Sequence, residues 1–569
     1  MRKAFTVALA AITVLLMGVV AGVFLQGEPE RSEEDERILS QLRASFQTIA
    51  TNYVDAVDST LLLDRGLEGL LSGLDPHSVY IPEERMERVE ASFKGRFDGI
   101  GISYEMVPGP DGADTVAVQS LLPDGPSERA GLVSGDRILR IDGQNAIGMT
   151  HKQVRRALKG PKDSSVEIDL YRPYERSRKT VSIKRDRIPL HTVDVSRMLD
   201  SRTGYIRLNR FARTTYHEFT EALQALTSTG AERLVLDLRE NSGGFMNMAV
   251  RVADEFLPSN RVIVKEESRH SDYNRAHRAS SGGMFERGPV IVLVDDRSAS
   301  ASEIVAGALQ DHDRALIVGS RTFGKGLVQQ QLELDAGGAL RLTVARYRTP
   351  SGRLIQTPYE GIDKLAYYNQ RAKKNPSSAP IPVEEALDNP PDSVKYTTDQ
   401  GRVVYGGGGI LPDHLTTADQ LLPLVKKLTK EEVFSSVARA VLDSPRSSLR
   451  QDWQGDWEAF LTDYTVPDEL WQTLSDTLRK RGFIGEETSD TVGASTSDEK
   501  PGPVSDHRSF DSLAELNLHR STLEAQLKAQ LALRLFGQRA YHAARSGHDE
   551  TVRQVRDLWP DSERLAASF

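Results

Sequence analysis

Val290-Ile-Val-Leu-Val294-Asp-Asp296-Arg-Ser298-Ala-Ser300-Ala-Ser302-Glu303-Ile-Val-Ala-Gly-Ala-Leu309 is the stretch that decides the fold. Its first five residues are uniformly apolar and read as a buried strand. Small polar residues then make a tight turn, and residues 304–309 continue as a helix. Small side chains at such a turn leave the backbone N–H groups of the helix start open to a ligand. A serine placed there has its hydroxyl beside an anion site, as a nucleophile needs. Ser300 is therefore the candidate nucleophile. The same letters also fit a capping box, with Ser300 as N-cap and Glu303 three residues on. Most serines before a helix only cap it, so the decision rests on what the remaining chain supplies.

A serine nucleophile needs a base. His312 is near in sequence, but it lies about 18 Å along the same helix at 1.5 Å per residue. His151, His191, His217 and His270 carry no recognisable Asp partner pattern. Lys325, in Thr322-Phe-Gly-Lys325-Gly326, is the better base. Glycine on both sides lets the backbone fold closely, and Phe323 offers apolar cover. Burial disfavours a charged amine and depresses its pKa from about 10.4. A neutral Lys325 takes the Ser300 proton and returns it to the leaving amine. Gln329, four residues on, holds that amine if the backbone bends at Gly326.

The segment Gly319-Ser-Arg-Thr-Phe-Gly324-Lys325 also matches the phosphate-loop pattern GxxxxGK. The match then fails. Gly326 stands where a Ser or Thr would meet Mg²⁺, and residues 327–334 alternate like a strand instead of opening a helix. No nucleotide, metal or other cofactor is implied.

Around this centre, residues 187–417 alternate strand and helix. Strands are expected at 205–208, 233–238, 261–265, 315–318, 327–334 and 340–346, with helices at 216–226 and 246–257. Asn241-Ser-Gly243-Gly244 is a turn. Residues 268–288 read as a polar loop, and 364–392 as a polar insertion. The pattern is an α/β core.

Residues 95–186 differ in texture. Gly99-Ile100-Gly101-Ile102 opens a strand as a glycine loop. Short strands follow at 115–121, 136–141, 166–171 and 179–184, with helices at 126–131 and 150–158. With Ala130-Gly131-Leu132, Gly135-Asp136 and Asp142-Gly143, this module resembles a PDZ domain. That resemblance puts a carboxylate-binding loop at Gly99, Ile100, Gly101 and Ile102, where a peptide C-terminus adds as an edge strand.

Outside that module the chain carries the motifs Ser298–Leu309, Thr322-Phe-Gly-Lys-Gly326, Tyr347-Arg-Thr-Pro-Ser-Gly-Arg353, Asp237-Leu-Arg-Glu-Asn-Ser-Gly-Gly244 and Gly409-Ile-Leu-Pro-Asp413. Together they resemble the carboxyl-terminal processing peptidases, or tail-specific proteases, over roughly residues 39–413. The resemblance implies a serine endopeptidase cleaving proteins at or near their C-termini. It implies a dyad of Ser300 and Lys325 with Gln329 as third residue. It also implies an oxyanion hole from the N–H of Ala301 and that of Gly243 or Gly244, with Ser298 and Ser302 structural. The alternative is a catalytically silent PDZ scaffold that binds protein C-termini.

Length and composition frame the rest. The chain has 569 residues, a net charge of -9 and no cysteine. The acidic balance argues against nucleic-acid binding. Lack of cysteine removes disulfides, thiolate metal sites and cysteine nucleophiles. Arg2-Lys3, the apolar run at 4–25 and the acidic stretch that follows make residues 1–27 a signal peptide or membrane anchor. The body is then extracytoplasmic, in the periplasm or cell envelope. Helical regions are expected at 32–94, 418–485 and 507–569, with a linker at 486–506. The fold class expected is thus an α/β protease core with an inserted PDZ-like β-rich domain, an N-terminal helical segment and a helical C-terminal extension. Its helical ends are candidates for homodimerisation. Expected partners are peptides or proteins with free, apolar C-termini.

Overall fold

The computed structural model describes residues 32–109, 112–123, 125–335, 337–362, 364–369, 381–382, 394–416, 422–484 and 509–569. The 1–27 segment, most of the 364–392 insertion and the 486–506 linker lie outside the described residues. The chain divides into two compact units between Pro82 and Glu83.

In the first unit, helix Glu33–Asn52 starts at a capping box, the Asp35 N–H donating to Ser32 Oγ at 3.1 Å. Its Ile38, Leu42 and Ile49 recur at helical spacing, yet all three are exposed. A second helix, Ser59–Ser72, is capped by Asp58. The turn after it is held by the Asp75 carboxylate, which accepts the N–H groups of His77 and Ser78.

The second unit is built on a parallel sheet. Thr203–Leu208, Arg233–Asp237, Val290–Val294, Leu316–Gly319 and His414–Leu415 lie side by side in that order, and Val193–Met198 adds antiparallel at one edge. Alternate residues face opposite layers. Val290, Val292 and Val294 pack with helices Thr215–Ser228, Met246–Asp254 and Ala301–Asp311. Ile291 and Leu293 face the other way, against Ala543, Val552, Val555, Leu558 and Trp559. This is why the strand is apolar without alternation: both faces are covered, as parallel sheets require. The second cover comes from the C-terminal extension, in helices Gln538–Gly547 and Glu550–Ser568.

The PDZ-like module is a sheet in the order Ile102–Pro108, Asp114–Leu121, Arg137–Ile141, Ser165–Arg172, Ser177–Lys184. Helix His151–Leu158 buries Val154 and Leu158 against it. Among the described residues Ile102–Pro108 pairs only with Asp114–Leu121, so it is an edge strand.

Three expectations are corrected. Residues 268–288 are not simply a loop: Arg275–Arg278 pairs antiparallel with Val262–Glu267. Its Arg-Ala-His-Arg sequence carries no apolar alternation, so backbone pairing forms this strand. The helical stretch 453–482 breaks into Trp457–Asp463 and Asp468–Lys480, because Pro467 caps the second and cannot continue the first. The stretch 513–558 is four helices, interrupted at His519, at Gly537 with φ 87° and at His548. The last runs on to Ser568.

Candidate active site

Ser300 stands at the N-cap of helix Ala301–Asp311 with φ 54° and ψ −110°. A non-glycine residue held there stores about 1–3 kcal/mol of strain, which the surrounding bonds must hold. They do so from both sides. The Ser300 N–H donates to Glu303 Oε2 at 2.8 Å, and its carbonyl accepts from the Tyr347 hydroxyl at 3.1 Å. Ser300 itself is only partly buried.

The neighbouring serines are occupied. Ser298 Oγ donates to the Leu238 carbonyl and Ser302 Oγ to the Asn241 carbonyl, both at 2.8 Å and both buried. They bolt the turn to the end of strand Arg233–Asp237.

Glu303 is fully buried and joins two loops. Besides Ser300 it accepts the Thr322 hydroxyl at 2.6 Å, the Gly324 N–H at 2.5 Å and the Lys325 N–H at 2.8 Å. Burial pushes its carboxyl above the usual range, and the four donors pull it part of the way back. The Phe323 N–H adds a further strap to the Ser298 carbonyl at 2.9 Å. Lys325 therefore lies in a loop fastened to the serine turn. Its Nζ donates to Gln329 Oε1 at 2.6 Å, and both side chains are partly buried. Gln329 is in strand Leu327–Glu333, so the lysine loop opens a strand and not a helix.

Asn241 organises the facing turn. Its side chain donates to the Leu208 carbonyl and accepts the Gly243 N–H, both at 2.9 Å. Its carbonyl accepts the Ala299 N–H at 3.0 Å. Gly243 is pressed so closely on the serine turn that a Cβ would meet the Ala299 carbonyl at 2.6 Å and Ser300 Cβ at 2.9 Å. Only glycine fits there.

Sequence reasoning missed the roles of Asn241 and Tyr347, and saw Glu303 only as a cap. The signal for Glu303 was its spacing from Ser300; nothing in the letters tied it to Lys325. The remaining motif residues brace the core. Asp237 is fully buried and accepts from Tyr205 and Arg239. Arg353 is fully buried against Asp311 at 2.7 Å. Asp413 accepts the Ile317 N–H at 2.7 Å. His312 sits at the far end of the Ser300 helix, between Asp399 and the Val262 carbonyl, both at 2.7 Å. In the PDZ-like loop Gly101 has φ 77°. The carbonyls of Ile100 and Gly101 are held by the N–H groups of Ser127 and Leu122.

Comparison with known proteins agrees with this architecture. The profile of peptidase family S41 matches residues 202–364, and a PDZ-domain profile matches residues 118–172. The carboxy-terminal-processing protease of Bartonella bacilliformis is 35% identical over 350 residues, spanning 59% of this chain and 79% of that protein. The carboxy-terminal processing protease CtpA of Bacillus subtilis is 30% identical over 385 residues, spanning 67% and 79%. Among solved structures, a photosystem II D1 C-terminal processing protease aligns at 30% identity, covering 56% of this chain and 83% of that one, with a TM-score of 0.33.

Fold and relatives together define a serine peptidase with a PDZ domain. The chain belongs to the carboxy-terminal processing proteases of peptidase family S41.

Proposed function

We propose that the protein is an endopeptidase that cleaves proteins at or near their C-termini through Ser300 and Lys325. The observation that carries this reading is that one buried carboxylate, Glu303, binds the backbone N–H groups of both residues. Neutral Lys325, oriented by Gln329, takes the Ser300 proton as Oγ attacks the scissile carbonyl. The tetrahedral oxyanion is received by the N–H groups of Ala301 and Gly244. Gly244 is the better second donor because the Gly243 N–H is already given to Asn241. Losing one such donor costs roughly 3 kcal/mol of barrier. Lys325 then protonates the leaving amine, and water attack on the acyl-enzyme, with the amine again as base, restores Ser300.

The PDZ module binds the substrate's free C-terminus at Gly99–Ile102 and presents it or gates the cleft. Residues 1–27 direct or anchor the body outside the cytoplasm. The exposed apolar residues of helix Glu33–Asn52 support self-association through the N-terminal helices.

The test is incubation with an unfolded protein and mass spectrometry of the products. Cleavage is expected from the unaltered chain and is expected to vanish in Ser300→Ala and in Lys325→Ala. Activity surviving in either variant overturns the dyad.

A further inference from the structure

We propose that the PDZ groove selects peptides carrying Asp or Glu at the third residue from a free, apolar C-terminus, and that Arg155 reads it. This rests on the PDZ reading above and names the substrate class of that groove.

The groove lies between the edge strand Ile102–Pro108 and helix His151–Leu158. Ile102, Tyr104 and Met106 turn toward the module's core, on the helix side. Glu105 turns the other way, to Arg439 and Arg534 of the C-terminal extension. Tyr104 spans the groove. Its hydroxyl donates to the His151 carbonyl at 3.2 Å, and the two rings lie 5.5 Å apart. Arg155 is one turn along the helix from His151, on the same face. Burial raises the pKa of the Tyr104 phenol, and the Arg155 guanidinium opposes that rise only in part.

A peptide whose carboxylate sits at Gly99–Ile102 runs antiparallel beside this strand. Its last residue faces Ile102. At about 3.4 Å per residue, the third from the end faces Tyr104, on the same side of the sheet. There it meets His151 and Arg155. The helix has no acidic residue, and its exposed face carries Lys152, Arg155 and Arg156. Lys152 is matched by Glu84 at 3.5 Å, both exposed. Among the described side chains, which do not include that of Glu87, Arg155 has no carboxylate partner. A carboxylate arriving opposite Tyr104 supplies one, in a charge-assisted bond that a glutamine forms more weakly.

The experiment uses the full chain with Ser300→Ala and fluorescein-labelled decapeptides. They share an apolar terminal residue and differ only in Glu, Gln or Lys third from the end. The Glu peptide is expected to bind about five- to tenfold tighter than the Gln peptide, and the Lys peptide most weakly. Arg155→Gln is expected to bring the Glu and Gln affinities together, with the Glu peptide losing the more. Added salt narrows the preference. Equal affinities in the parent, or a preference that survives Arg155→Gln, overturn the assignment. A C-terminally amidated peptide that binds as well as the free acid, or no binding by any peptide, overturns the PDZ reading and this proposal with it.

Discussion

Arg534, in the C-terminal extension, donates to Glu105, on the edge strand of the PDZ module, at 2.7 Å across 429 residues of sequence. Arg439 donates to the same oxygen at 2.7 Å, and Ser435 to the other at 3.1 Å. Both Glu105 and Arg534 are buried. Burial opposes ionisation of Glu105, but the two guanidiniums outweigh it and hold the carboxyl below its ordinary value. The rear of the peptide-accepting strand is therefore fixed to helices Val433–Asp443 and Arg520–Phe536.

Removing one member of such a cluster leaves buried charge uncompensated. Glu105→Ala is expected to lower stability by about 3 kcal/mol. The triple variant Glu105→Leu, Arg439→Met, Arg534→Met is expected to lose less, since no buried charge is stranded. Urea unfolding of the two variants checks the order, and a triple variant weaker than the single one contradicts it.

Glu303 sets an acid limit on activity. Its carboxyl lies above the usual range, so it takes up a proton earlier than an exposed glutamate as pH falls. A protonated Glu303 presents a donor to groups that are all donors, and the serine and lysine loops part. The kcat–pH profile is expected to fall on its acid side at a pH above that of an ordinary carboxylate. Glu303→Gln is expected to cut kcat by about 10²-fold and remove that limb. A limb that stays in place in Glu303→Gln assigns it to another group.

Much of the centre was legible from residues 290–309 and 319–329, because a strand, a tight turn and a helix are local. The unbroken apolar run Val290–Val294 also read as a buried strand, which the structure covers on both faces. Which segment forms the second layer was not legible. Trp559 and Ile291 come together only through the tertiary fold, and a helical tail rich in Leu, Ala and Arg reads equally as a dimer surface. The Glu303–Lys325 bond was hidden for a related reason: Lys325 contributes its backbone N–H, which every residue but proline has.

Stability should depend on pH through the pair His191 and Glu218, 3.7 Å apart. Burial works against the Glu218 charge, but His191, Thr214 and the N–H groups of Thr192 and Val193 outweigh it and hold the carboxyl at about 2. A depressed carboxyl contributes stability in full above its unfolded pKa of about 4.3 and loses it as pH falls through its folded one. The bond to Glu218 raises His191. That contribution is full below about pH 6.5 and is lost as pH rises through the raised value. Glu218→Gln is expected to flatten stability on both sides, as thermal unfolding across pH 3–8 would show. A parent-like profile in that variant removes the pair from the account.

The C-terminal helices are part of the core and not an appendage to it. Tyr205, Val235, Ile291, Leu293, Leu316 and Val318 face Trp559, Val555 and Val552, and all are buried. Arg233 also lies over the Trp559 ring at 4.4 Å. Trp559→Ala opens a cavity under the parallel sheet and is expected to cost about 3–5 kcal/mol. Deleting residues 537–569 uncovers one whole face of that sheet, an apolar patch of the kind that drives aggregation. The truncated chain is expected to elute as aggregate in size-exclusion chromatography and to cleave nothing. The Arg155→Gln chain, altered only at the groove, is expected to elute as the parent does. A truncated chain that stays soluble and active would show that the sheet's second face needs no cover, and the layered core described above would then be wrong.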